Sequence, residues 1–126
     1  MKNWIYLVLI ICCFSCKGQE KKCLDYRTGE FNYVIENRPE LVIRTDSTQI
    51  EINPITKVEV YSSIKWKSDC EYEMTYTKIL NYPEDASHMI GQKINVKIIS
   101  TDSGGYKVHA TSPLIDNILG FVKVDK

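Results

Sequence analysis

Val58-Glu59-Val60-Tyr61-Ser62-Ser63-Ile64-Lys65-Trp66-Lys67-Ser68-Asp69-Cys70-Glu71-Tyr72-Glu73-Met74-Thr75-Tyr76-Thr77 is the stretch that decides the fold class. Val58, Val60, Ser62, Ile64 and Trp66 share one parity; beyond Lys67-Ser68-Asp69 the same alternation resumes in Cys70, Tyr72, Met74 and Tyr76. Glu59, Lys65, Glu71, Glu73, Thr75 and Thr77 occupy the opposite parity. Successive side chains of a strand point to opposite faces, so a period of two marks strands with one dry and one wet face. Two such runs joined by a short polar turn predict an antiparallel hairpin.

The same period runs through the rest of the chain. Phe31, Tyr33 and Ile35 share a parity, as do Leu41 and Ile43, then Ile50 and Ile52. Later come Ile94, Val96 and Ile98, then Tyr106, Val108 and Ala110, and finally the run from Ile118 to Val124. Turn signals separate these runs: Asn37-Arg38-Pro39, Asp46-Ser47, Asn53-Pro54, Asp102-Ser103-Gly104-Gly105 and Asp116-Asn117. Only Pro83 to Ile90 reads as a helical turn, with Pro83 at the first position and Glu84 and Asp85 near the positive end of the dipole. About eight short strands with short connections make a meander. The expectation is an all-β domain, a small up-and-down antiparallel barrel, with a β-sandwich as the alternative; closure is favoured because it removes exposed edges. Thr28-Gly29-Glu30-Phe31 resembles the Gly-x-aromatic opening of lipocalin first strands, which makes the expected barrel lipocalin-like.

The chain has 126 residues, room for one domain. Its formal net charge is zero and it has no basic patch, so nucleic acid is not an expected partner. Met1-Lys2-Asn3 is a short positive start, and Trp4 to Phe14 is an unbroken apolar run of 11 residues. A spanning helix needs about 20 residues, so this run reads as the core of a signal peptide. Cys13-Phe14-Ser15-Cys16 then resembles the lipobox cut by the lipoprotein signal peptidase, although Cys13 stands where Leu is usual. Residues 1–15 are therefore expected to be removed and Cys16 lipidated, with 16–22 as lipidated Cys and tether and 23–126 as the single β domain. An ordinary secretory signal cut near Ser15 is the alternative. Three acyl chains on Cys16, palmitate among them, would hold the protein firmly, at about 0.8 kcal/mol per buried CH₂. Lys17 is not the Asp that marks inner-membrane retention in enterobacteria, so the outer membrane is expected. One Glu among three Lys in the tether favours the periplasmic face over the cell surface.

Of five Cys, Cys12 and Cys13 would leave with the signal and Cys16 would carry lipid, so Cys23 and Cys70 remain. An even remainder in an oxidising compartment predicts a disulfide bond, two free buried thiols being the alternative. The bridge would close a loop of 48 residues, worth about 4 kcal/mol by loop entropy at the upper end.

Cys23-Leu24-Asp25-Tyr26-Arg27-Thr28-Gly29-Glu30-Phe31, Val42-Ile43-Arg44-Thr45-Asp46 with Gln49-Ile50-Glu51-Ile52, and Ser63-Ile64-Lys65-Trp66-Lys67-Ser68-Asp69-Cys70-Glu71-Tyr72 together carry a resemblance. With Val96-Lys97-Ile98 and Tyr106 they resemble a family of short, uncharacterised lipoproteins of Flavobacteria and other Bacteroidota. The Trp-x-x-Asp-Cys-x-Tyr element is its most specific part. The resemblance implies a secreted, disulfide-linked β domain and no particular activity. Some relatives carry the automatic label DNA topoisomerase IV. This chain is far too short for that enzyme, and it lacks an ATP site and a nucleophilic Tyr in recognisable context.

The candidate ligand or partner contacts are Arg44, Trp66, Asp69, Tyr72 and Tyr106. Trp66, Asp69 and Tyr72 suit a ligand mouth, but their ordinary role is structural: Trp66 and Tyr72 flanking a disulfide, Asp69 bonding its own turn. Arg44 suits an anionic ligand, but is expected first to pair with Asp46, Glu51 or Asp69. Asp69, Glu71 and Glu73 share a face, as do Gln49 and Glu51; on alternating strand positions these read as a solvated face. His88 and His109 have no partners at ligand spacing, so no metal or other cofactor is expected. Ser47, Ser62 and Ser63 stand in no nucleophile context, so no catalytic residue is assigned. Tyr33, Tyr72, Tyr76 and Tyr106 share faces with apolar residues and either line a pocket or fill the barrel. The expected role is a non-catalytic binding or accessory module for a small apolar ligand, a peptide or an envelope protein, with the membrane reached through the lipid. A small hydrolase-like enzyme is the alternative; it would need unusual polar residues gathered in one cleft, and the sequence displays no such gathering.

Overall fold

The computed structural model describes residues 21–124. Residues 1–15, expected to be a signal peptide, and Cys16 lie outside those residues, as does all of the expected tether but Lys21 and Lys22. Eight strands follow in order: β1 (Gly29–Tyr33), β2 (Leu41–Arg44), β3 (Thr48–Ile52), β4 (Glu59–Ser68), β5 (Glu71–Leu80), β6 (Lys93–Thr101), β7 (Gly105–Thr111) and β8 (Asp116–Lys123). Each pairs antiparallel with the next and β8 returns to β1, closing the expected up-and-down barrel. The Val58–Thr77 alternation becomes the β4–β5 hairpin, paired from Glu59↔Leu80 to Ser68↔Glu71. Pro83 to Ile90 forms a 3₁₀ turn only at Ser87–Met89, and β8 begins at Asp116, two residues before the expected Ile118.

One end of the barrel is closed. A 3₁₀ turn, Cys23–Tyr26, lies across it and is tied down by the Cys23–Cys70 disulfide, Cα–Cα 5.2 Å. The Tyr26 hydroxyl donates to the Asp102 carbonyl at 2.6 Å, joining this turn to the β6–β7 connection. Gly105 sits where β7 approaches β8 so closely that a Cβ would collide with the Phe121 carbonyl. Phe31, Val42, Ile98 and Val108 fill the middle of the lumen and are essentially fully buried.

The structure inverts the expected faces of β2 and β3. Directly opposed residues of antiparallel strands project to the same side. Phe31 is buried in the lumen and opposes Val42; Val42 opposes Glu51, and Glu51 opposes Val60. The next row runs Gly29, Arg44, Gln49, Ser62. Val42, Arg44, Gln49 and Glu51 therefore point inward, while Leu41, Ile43, Ile50 and Ile52 are half-buried on the outer wall. There Ile43 opposes Ile50, and Ile50 opposes Tyr61, so the outer aliphatics shield one another. The row starting at Phe31 decides the face, and it outweighs the apolar parity within each short strand. Gln49 and Glu51 are thus not the solvated face their spacing predicts.

Candidate functional site

The lumen has a bonded floor and an open upper half. Arg44 forms the floor, only 2% exposed. Its Nε donates to Gln49 Oε1 at 2.9 Å, Nη1 to the Tyr26 carbonyl at 3.0 Å and Nη2 to the Tyr106 hydroxyl at 2.8 Å. The guanidinium also lies 5.0 Å from the Phe31 ring centroid and 5.1 Å from that of Tyr72. A buried charge is tolerable only when its donors are satisfied, and each nitrogen here has a named acceptor. The expected partners of Arg44 are not used. Asp46 instead meets Arg27 at 2.8 Å, and Asp69 is exposed in the β4–β5 turn.

Above the floor lies a cavity of about 100 Å³ that opens toward the β1–β2 and β7–β8 connections. Its two walls differ in chemistry. Tyr33, Arg38, Gln49 and Glu51 form one wall; Met74, Ile94, Val96, Val108, Leu119 and Phe121 line the other, which also carries Asn117, with Tyr72 and Tyr76 between them. On the polar wall Tyr33 donates its hydroxyl to Glu51 Oε1 at 2.6 Å, and Gln49 Nε2 donates to the same oxygen at 3.3 Å. The Arg38 guanidinium lies over the Tyr33 ring at 4.3 Å, with its Nε 3.5 Å from Glu40 Oε2.

Glu51 is half-buried by surface, yet the protein packed around its carboxyl is dense. That burial pushes its proton affinity above the ordinary carboxylate range; the bond from Tyr33 and the charges of Arg38 and Arg44 pull it back, while Glu40 adds to the rise. The Tyr33 hydroxyl is pushed up as well, first by burial and then by Glu51. Tyr72 is 2% exposed and lines the cavity, and among the described residues no protein group hydrogen-bonds its hydroxyl.

Of the five residues singled out from sequence, Tyr72 alone lines this cavity. Arg44 and Tyr106 build the floor beneath it. Trp66 packs on Tyr72 at 4.7 Å, lies under Arg27 at 4.6 Å and donates its Nε1 proton to the Asp46 carbonyl. In the β4–β5 turn it is the Ser68 hydroxyl that accepts the Cys70 N–H. Sequence reading missed Tyr33–Glu51–Gln49 as a unit, because it assigned Gln49 and Glu51 to the outer face. The signal available was the intolerance of a buried Arg44 for lacking acceptors, which draws Gln49 inward at the opposing position. Among the described residues no group of three or more His, Cys, Asp or Glu side chains converges as a metal site would require.

Comparison with protein-family models, with curated proteins and with solved structures found no match.

Proposed function

We propose that the barrel is a non-catalytic binding module holding one small amphipathic molecule in its lumen, loaded through the open end. The observation that carries this is the two-walled cavity: a hydrogen-bonding wall facing a mainly apolar one, with Tyr72, its hydroxyl unbonded, between them. Size narrows the ligand. A water needs about 10–15 Å³ of such space, so about 100 Å³ admits roughly seven to ten water-sized groups. Drug-sized ligands occupy sites of about 300–1,000 Å³ and would not fit without opening the barrel.

The test is a titration of the purified full-length chain, labelled at methyl groups, with amphiphiles of that size such as hexanol. Methyl signals of Met74, Ile94, Val96 and Leu119 should shift, while those of Ile98, off the cavity wall, stay in place. Failure of every such amphiphile to move the upper set would overturn the reading.

The same proposal includes the address: lipidation at Cys16 and residence on the periplasmic face of the outer membrane. The Lys22 N–H bonds Thr101 Oγ1 beside the closed end, so a tether at Cys16 would leave from there and the mouth would face away from the anchoring membrane. Intact mass from native membranes should begin at Cys16 with acyl chains added; a lipid-free mass would overturn the anchor.

A second reading, a small hydrolase-like envelope enzyme, draws on Glu51, since an enclosed carboxyl of raised proton affinity is the form of a general acid. Among the described residues no Ser, Thr, Cys or His lines the cavity to serve as its nucleophile. Turnover of small esters or glycosides that vanishes in Glu51→Gln would establish this reading over simple binding.

A further inference from the structure

Resting on the lumen reading above, we infer that the ligand is a small primary ammonium, an alkyl- or arylalkylamine, whose head is held by Glu51 with the Tyr72 and Tyr76 hydroxyls. The first support is the acceptor geometry. Glu51 Oε1 receives two donors, Tyr33 and Gln49. Donors converging on one carboxylate oxygen favour its charged form and partly offset the burial that raises its proton affinity. A carboxylate offers about four lone-pair sites, so the group retains capacity for further donors. Tyr72 and Tyr76 line the same cavity, and their hydroxyls have no protein hydrogen-bond partner among the described residues. An ammonium brings three N–H donors and no acceptor, which matches one carboxylate and two phenolic oxygens.

The second support is the charge arrangement. Among the described residues no cation lies within ion-pair distance of Glu51; the recorded pairs are Arg27–Asp46, Arg38–Glu40, Lys93–Glu73 and His109–Asp116. A carboxylate enclosed in a barrel is costly until a cation joins it. Arg44 does not supply that cation. Its Nε, Nη1 and Nη2 each bond another group, and Gln49 stands between it and Glu51. Arg38 stands at the mouth, its side chain 40% exposed and beside Glu40. The third support is the walls: Tyr72, Tyr76 and Phe121 present rings to the same space, and ammonium groups are attracted to aromatic faces. A ligand carboxylate would instead crowd a second negative group against Glu51, and an alcohol would leave Glu51 with no cation in direct contact, only the more distant charges of Arg38 and Arg44.

Calorimetric titration of the purified full-length chain near neutral pH with hexylamine, hexanol and hexanoate separates these cases. Hexylamine should bind about tenfold more tightly than hexanol, the worth of one charge-assisted hydrogen bond, with hexanoate weakest. In Glu51→Gln the amine should fall to the affinity of hexanol, and retained hexanol binding there shows that the lumen is intact. Tyr72→Phe, which keeps the packing, should weaken hexylamine by about threefold to tenfold. Hexanoate binding as tightly as hexylamine, or an amine preference that survives Glu51→Gln and Tyr72→Phe, would overturn the ammonium while leaving the lumen as a binding site. No binding of any of the three would overturn the lumen reading itself and this inference with it.

Discussion

The two ends of the barrel share eight strands and differ in how the strands are joined. At the closed end the connections span residues 45–47, 69–70 and 102–104; at the open end they span 34–40, 53–58, 81–92 and 112–115. Short turns let strand ends converge, and side chains from facing walls then meet: Phe31 and Tyr106 pack edge to face at 5.3 Å above Arg44. Longer connections leave the rim wide, and a space persists beneath it. The surfaces differ too. Open-end connections carry Val34, Ile55 and Leu114, which are 62%, 77% and 79% exposed, whereas the closed-end strand connections are made of Thr, Asp, Ser, Cys and Gly, and the covering turn exposes only Leu24 among its apolar residues. The polar groups inside follow the same division. Arg44 at the floor is bonded at every nitrogen, while the cavity above keeps Tyr72 without a partner. A buried polar group that is fully bonded holds a fold together, and one left open toward a cavity is available to a ligand.

The largest effects should come from breaking the closed end. Arg44→Met strands Gln49 Oε1, the Tyr26 carbonyl and the Tyr106 hydroxyl, and is expected to cost about 3–5 kcal/mol in urea unfolding. Loss of under about 1 kcal/mol would show that the floor is not held by this residue. Replacing both Cys23 and Cys70 with Ser frees the loop between them and the turn that covers the floor. The expected loss is up to about 4 kcal/mol, read as a lowered unfolding midpoint that wild type reproduces on reduction.

A matched pair of enlargements sharpens the contrast between filled and open halves. Ile98→Phe adds volume where the lumen is packed and should cost about 1–3 kcal/mol. Ala110→Leu adds volume beside the cavity, so stability should change by less than about 1 kcal/mol while binding of hexanol-sized ligands is lost. Equal costs at the two sites would mean that the halves are packed alike.

The smallest effect concerns pH. Glu51 faces Tyr33 on β1, Arg38 and Glu40 in the β1–β2 connection, Arg44 on β2, and Gln49 on its own strand. Its proton affinity is higher in the fold than the ordinary value of 4.5. Between that value and the raised one the folded chain binds more protons than the unfolded chain, so this group lowers stability as pH rises through the window. Unfolding free energies of wild type and Glu51→Gln should therefore diverge as pH increases above about 4.5, with wild type losing relative to the variant. A difference independent of pH would place the Glu51 carboxyl in water rather than in the wall.

By itself the sequence determined the strands, most of the turns and the antiparallel meander, and it favoured closure over a sandwich and a disulfide over free thiols. Period-two patterning is a local property, and 20 residues from Val58 to Thr77 are enough to display it. The disulfide followed from counting cysteines. Which face of β2 and β3 enters the lumen was decided only by tertiary structure. β2 reads Leu-Val-Ile-Arg, apolar on both parities, so its own pattern carries no face; the row running from Phe31 through Val42 to Glu51 supplies it. The same holds for the tyrosines. Sequence grouped Tyr33, Tyr72, Tyr76 and Tyr106 on inward faces, but only the lengths of the connections and the closure of the barrel made Tyr106 part of a floor and left the other three around a space. A cavity is what remains after every wall is set, so no single strand's pattern contains it.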